Sequence, residues 1–429
     1  MKEKFIRSTI ILLIGGCITK VLGMVIKMIM GRMIGAAGLG LYMMILPTFS
    51  LFIGISQFGF PIALSKLVAE NNKNNKHLFF SVLFVSLFIN LLLIIFIVLF
   101  APILSSKLLH NANTYYGILA IAVVIPFISL SSICRSYFFG KEKMVPHIIS
   151  NIVEDVVRLI IMVIGIPLFL DKGISYVVCF LILSNVISES ASILILYLFL
   201  PKNFSIKKDD LKINGSYIRE SLSIGIPNTC GRLIGSIGYF LEPILLTNVL
   251  VYVGYSPTFI TTEYGILSGY VMPILLLPSF FTEAISNALL PIISREYSLR
   301  KYDNLKKKLK IGLLISFTIG FIMTILFMLI PSVFLNLIYH TNEGISYMRF
   351  LAPICLFQYL QAPLSISLEA IGKSKVVMKA SILGMVTRTL LLVLLSLAKI
   401  GIWGLIFAIS LNVLIVTFYD AIKLKQFLK

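Results

Sequence analysis

IILLIGGCITKVLGMVIKMIMGRMIG, residues 10–35, is apolar for long enough to cross a bilayer, yet it carries Lys20 and Lys27. About 20 apolar residues at ~1.5 Å rise span a hydrocarbon core of ~30 Å, so a helix starting near Ser8 puts Lys20 about 18 Å deep. A lysine at the centre of a spanning helix costs roughly 2.5–3.5 kcal/mol unless it faces water or a partner. The spacing of seven places Lys20 and Lys27 on one face, so a single polar stripe serves both. Lys27 can instead snorkel toward the headgroups, an escape that Lys20, more than two turns from either end, lacks. The stretch is too long for a signal-peptide core and has no small-residue cleavage site, so it reads as a retained spanning helix with one wet face.

The rest of the chain extends this pattern. Its 429 residues are 58% hydrophobic and 13% charged, with a mean hydropathy of +1.00. That composition belongs to a polytopic membrane protein with no soluble domain of any size. A net charge of +19 could suggest nucleic acid, but the basic residues sit in short spacers between apolar runs, the positive-inside signature, so no nucleic-acid partner is expected. Cys17, Cys134, Cys179, Cys230 and Cys355 fall singly within apolar segments and read as small core residues, neither disulfides nor metal ligands.

Apolar runs bounded by Gly, Pro and charge predict twelve transmembrane helices, at 8–34, 40–65, 78–103, 115–138, 148–170, 174–199, 218–250, 264–293, 310–334, 345–370, 376–398 and 401–422. Most of the 37 Lys and Arg residues lie at the N-terminus and in every second spacer, Arg135 being grouped with the spacer after the fourth span. The opposite set holds only Lys107, Lys172, Arg349 and Lys399, which places both termini in the cytoplasm. Six further bases, Lys20, Lys27, Arg32, Arg158, Arg232 and Arg388, fall within spans.

A polar linker at 201–216, containing Lys207-Lys208-Asp209-Asp210, separates an N-terminal six-helix bundle, 1–200, from a C-terminal one, 217–429. The halves resemble each other. Lys20-Val-Leu-Gly23 matches Arg232-Leu-Ile-Gly235, the stretch from Gln57 to Pro61 matches that from Asn287 to Pro291, and Gly140-Lys141 matches Gly372-Lys373. Because each half has an even number of spans, the expected fold is all-α: two pseudo-symmetric bundles related by an axis along the membrane normal, with a substrate path between them.

Lys20, Arg158, Arg232 and Arg388 all lie about 15–21 Å from the cytoplasmic ends of their helices. Unpaired, the four would cost on the order of 10–14 kcal/mol, so a common aqueous cavity is expected, and four cations around a cavity suit an anion, phosphate in particular. Glu154 precedes Arg158 by one turn, so an ion pair within the helix is the simpler reading for that pair. Glu154, Asp155, Glu189 and Glu283 are candidates for ion coupling. Glu242 and Glu283 are read first as counter-ions for buried bases. Prolines, Pro61 and Pro291 among them, mark candidate kinks or hinges, and Gly23, Gly31, Gly225 and Gly235 are read as close-packing positions. The basic stretch 295–310 reads as a surface helix on anionic lipid.

Residues 35–42, GAAGLGLY, with Pro47 and then 59–70, GFPIALSKLVAE, resemble the opening of the stage V sporulation protein B family, within the superfamily of multidrug, oligosaccharidyl-lipid and polysaccharide exporters. Residues 134–140, CRSYFFG, with Met144-Val145-Pro146, Ser150, Glu154 and Arg158, resemble that family's pattern across its fourth and fifth spans. The resemblance implies a flippase that moves a polyprenyl-diphosphate-linked saccharide, such as a peptidoglycan precursor or another envelope polysaccharide unit, to the outer leaflet. It also implies a basic cavity to which Lys20, Arg158, Arg232 and Arg388, with Lys27, correspond. A bacterial cytoplasmic or forespore membrane, membrane lipids and envelope-synthesis enzymes as partners, and a proton gradient, sodium gradient or membrane potential as driving force belong to the same implication. Family members usually run to fourteen spans, so twelve place this chain in a shorter branch. A cation-coupled multidrug antiporter is the alternative, which the excess of buried bases over acids disfavours. A membrane enzyme is the third reading, but no nucleophile, nucleotide loop, cofactor motif or metal motif is present to support it.

Overall fold

A computed structural model of the chain describes residues 2–70, 74–200, 211 and 213–428, and among these there is no β-strand. The expected linker 201–216, with Asp209-Asp210, lies largely outside the described residues. The helices are α1 (Lys2–Gln57), α2 (Phe60–Glu70), α3 (Asn75–Pro102), α4 (Tyr115–Gly140), α5 (Met144–Leu170), α6 (Ile174–Leu198), α7 (Gly215–Val253), α8 (Pro257–Gly265), α9 (Met272–Leu275), α10 (Ser279–Ser298), α11 (Tyr302–Leu329), α12 (Pro331–Tyr339), α13 (Ile345–Ala370), α14 (Ser374–Ser396) and α15 (Trp403–Phe427). Contacts divide the chain into two compact units, Met1–Phe240 and Leu241–Lys429, so the first part of α7 belongs with the first unit.

Nine helices among the described residues are long and apolar enough to cross a membrane, ten if the bent pair formed by Pro257–Leu275 and Ser279–Ser298 is one span. Twelve were expected, and two of the differences have a local cause. α5 is 27 residues long but carries Glu154, Asp155 and Arg158 in its middle. α1 joins the first two expected spans, with a break at Gly35, where φ is 66° and ψ −177°, a conformation open essentially to glycine alone.

That break reverses the chain. Gly15 packs on Ile148 near the start of α5, Gly38 on Ile174 at the start of α6, and Gly140 at the end of α4 packs on Ser65 and Val68 of α2. Only residues 141–143 separate α4 from α5, so positions 15 and 65 share one end of the unit while position 38 lies at the other. The return leg ends at Phe58 and Gly59, both at positive φ, where backbone meets backbone: a methyl on Gly59 would come 2.5 Å from the Gly225 carbonyl oxygen. Gly225 is thus a close-packing position, as read from the sequence. Beyond this turn, Phe60, Leu64, Leu67 and Val68 of α2 pack on Leu78, Val82 and Ile133.

The expected hinges are displaced from their prolines. Pro61 lies in the first turn of α2, where its missing N–H leaves no bond unmade, and the break itself is at Phe58–Gly59. α10 continues through Pro291, and the 50° bend in this part of the chain comes earlier, between Leu275 and Ser279. The stretch 295–310 is not a helix of its own. It is the end of α10, a short turn and the start of α11, with the Lys308 ammonium donating to Glu296 at 2.5 Å across the turn. Leu289, Ile293, Leu305, Leu309, Leu364 and Leu368 form the core beneath it.

Candidate functional site

The densest group of polar side chains in the first unit is built around a residue that the sequence places with a loop. Arg135 lies inside α4, more than a turn before its end, and only 14% of its side chain is exposed. One Nη donates to Asn151 Oδ1 at 2.5 Å and to Glu154 Oε2 at 2.6 Å. The other donates to Ser131 Oγ and to Glu189 Oε2, both at 2.7 Å. Ser131, one turn earlier on α4, also donates its hydroxyl hydrogen to Glu189. On α5, Asn151, Glu154 and Arg158 share a face through spacings of three and four. Arg158 closes the group by donating to the second oxygen of Glu154, and its other Nη lies 3.7 Å from Asp155.

Three helices are therefore joined through one guanidinium. With every group ionised, two arginines face three carboxylates, a local charge of −1. Removing one member of such a buried pair typically costs about 3–5 kcal/mol, because the other charge is left without compensation. A cavity of about 320 Å³, lined by Ser65, Ser132, Ser136, His147 and Asn151, opens onto Arg135 from the α2 side. Among the described residues, no group of three or more His, Cys, Asp or Glu could hold a metal ion.

Of the basic quartet read from the sequence, Arg158 and Arg388 are half-buried and Lys20 and Arg232 are exposed. Arg158 is held by Glu154 and Asp155, and Arg388 of α14 is held by Glu242 of α7 within the second unit. Glu242 is thus a counter-ion, as expected. Lys20 and Lys27 on α1 and Arg232 on α7 are exposed. The expectation that Gly23 and Gly235 mediate close packing is not met: a methyl on either would meet nothing within 4 Å. The two matched motifs, Lys20–Gly23 and Arg232–Gly235, therefore both combine an exposed base with a glycine that has room for a methyl. Of the acids proposed for coupling, Glu154, Asp155 and Glu189 come together around the arginines, whereas Glu283 is exposed on α10, outside that group.

Sequence spacing could not have shown Arg135 as the centre, since Glu189 is 54 residues away and on a different helix. A signal was present in Arg135 itself, the one charged residue of its helix, one turn after Ser131 and with no acid within reach along the chain.

The model of the family described as polysaccharide biosynthesis protein matches residues 5–297, and that described as MatE matches residues 242–394. Stage V sporulation protein B of Bacillus subtilis (strain 168) is 32% identical over the whole of this chain and 85% of its own length. Lipid II flippase MurJ of the same organism is 23% identical over 99% of this chain and 83% of its own length. Among solved structures, an inward-facing multidrug resistance MATE family transporter of the MOP superfamily aligns with a TM-score of 0.73 over 96% of this chain and 94% of its own, at 16% identity. The likeness to that transporter shows the fold, and the sequence matches show the family: this multi-pass membrane chain belongs to the polysaccharide biosynthesis protein family.

Proposed function

We propose that the protein is a transporter, not an enzyme, that carries a polyprenyl-diphosphate-linked saccharide from the inner to the outer leaflet of the bacterial cytoplasmic membrane. One observation supports this reading above the others. In the first unit, Lys20 and Lys27 are exposed on a helix long and apolar enough to cross a membrane, and Arg232 is exposed just before the apolar stretch Gly235–Val253 of α7, with Gly23 and Gly235 open enough to take a methyl. Bases on lipid-facing helix surfaces are costly, whereas bases on a water-filled path serve a polyanion. Family membership and the likeness to a lipid II flippase point to the same cargo class.

In this reading the chain crosses the membrane twelve times, with α5 and both legs of α1 as crossings and both termini cytoplasmic, and the two bundles alternate access to the path. Arg158 and Arg388 position their helices through ion pairs, while Lys20, Lys27 and Arg232 meet the diphosphate. The matched motifs in the two halves would then be the part of the repeat that contacts cargo.

A cation-coupled drug antiporter is the second reading, favoured by the fold that the chain shares with multidrug transporters. It needs carboxylates open to a cation, and Glu154 and Glu189 already hold a guanidinium between them. The deciding experiment is leaflet-resolved labelling of the lipid-linked precursor in cells that depend on this protein. Lys20→Ala combined with Arg232→Ala should abolish outer-leaflet delivery while the protein remains inserted and folded. Normal delivery by that double variant would refute the assignment.

A further inference from the structure

The outer wall of the first unit holds a second cavity that the translocation reading does not use. α3 turns Phe88, Leu91 and Leu99 outward, and α6 turns Leu194, Tyr197 and Leu198 outward, all exposed, so both helices offer a broad apolar surface to lipid. Between them and α4 lies a cavity of about 380 Å³ lined by Phe79, Phe80, Tyr137, Phe138 and Leu196, with Lys76 also on its wall.

Lys76 is in the first turn of α3, and Asn74 caps that turn by accepting from its amide at 3.1 Å. The charged end of the cavity is therefore an end of the bundle, where an ammonium adds to the positive pole of a helix. Its body is aromatic and aliphatic and continues into the apolar belt. Water suits the basic end and not the apolar body. An acyl chain suits the body, and an anionic headgroup suits the basic end.

We propose that this cavity is a binding site for one anionic phospholipid, with an acyl chain lying among Phe79, Phe80, Tyr137 and Leu196 and the headgroup phosphate at Lys76. Its volume, about 380 Å³, is on the order of that of one acyl chain. The site adjoins the end of α6 and the start of α7. Leu200 lines the cavity, the Asn214 amide donates to Ser81 of α3 at 3.2 Å, and Tyr217 stacks edge-on against His77 at 5.5 Å. A bound lipid would brace the place where the chain leaves the first six helices. The proposal does not depend on what the protein transports.

The chain contains one tryptophan, Trp403, which lies in the second unit. Full-length protein carrying Trp403→Phe and Phe80→Trp therefore reports on the cavity alone. Reconstituted in phosphatidylcholine vesicles, it should be quenched by phosphatidylglycerol with brominated acyl chains at several-fold lower mole fraction than by brominated phosphatidylcholine. Lys76→Glu and Lys76→Gln should each remove that preference. Native mass spectrometry of the unsubstituted protein should show one retained phosphatidylglycerol, lost in the same variants. Equal quenching by the two lipids, a preference that survives both Lys76 substitutions, or displacement by polyprenyl phosphate at equimolar amounts would each overturn the assignment.

Discussion

At the scale of single residues, the buried bases differ by what holds them. Arg135 is gripped by Glu154, Glu189, Asn151 and Ser131, so its removal takes the guanidinium from Glu189 and leaves Glu154 to Arg158 in a three-helix core. Arg135→Ala should lower stability by about 3–5 kcal/mol, measured by thermal unfolding in detergent. Arg135→Leu combined with Glu154→Gln and Glu189→Gln removes the charges together and should recover most of that loss, which a role of Arg135 in packing alone would not allow. Arg232→Ala and Lys27→Ala, at exposed positions, should leave stability within ~0.5 kcal/mol. These pairings were legible in the sequence only as far as they were local. Glu154 and Arg158, one turn apart, could be paired from spacing, whereas Arg388 finds Glu242 across 146 positions and Arg135 finds Glu189 across 54. Periodicity reports which side chains share a face of one helix, and it carries no information on which faces meet.

At the scale of elements, glycines that look alike in the sequence do unlike things. Gly35 and Gly59 stand at positive φ where the first helices reverse and break, and Gly59 also touches the Gly225 backbone. Gly35→Ala should cost about 1–3 kcal/mol for its backbone conformation alone. Gly59→Ala should cost more, because the conformation and the clash act together. Gly23 and Gly235 are helical and face open space, so Ala at either should be neutral or add up to ~1 kcal/mol through helix propensity. Thermal unfolding separates the two classes. If Gly23→Ala and Gly235→Ala slow transport without lowering stability, the glycines keep room for cargo beside Lys20 and Arg232. The reversal near residue 35 was legible as a gap between two apolar runs. The open setting of Gly23 and Gly235 was not, because a helix glycine reads the same whether its neighbour is another helix or a cleft.

At the scale of the whole molecule, the decisive element is α5, where apolar length and charge content disagree. Its 27 residues cover about 40 Å, ample for a bilayer, yet Glu154, Asp155 and Arg158 sit near its middle. Each of these charges has an opposite charge within the bundle, so the helix can cross without presenting a bare ion to lipid. If α5 crosses, Glu142 before it and Lys172 after it lie on opposite sides of the membrane, and the four sparse bases Lys107, Lys172, Arg349 and Lys399 face outward. Single cysteines at positions 110 and 172, placed in a chain whose native cysteines are replaced, should react in intact cells with a membrane-impermeant maleimide. A cysteine at 142 should react only after permeabilisation. Labelling of 172 on the same side as 142 would mean that α5 does not cross, and the two halves would then no longer enter the membrane from the same face, removing the basis for matching Lys20 with Arg232.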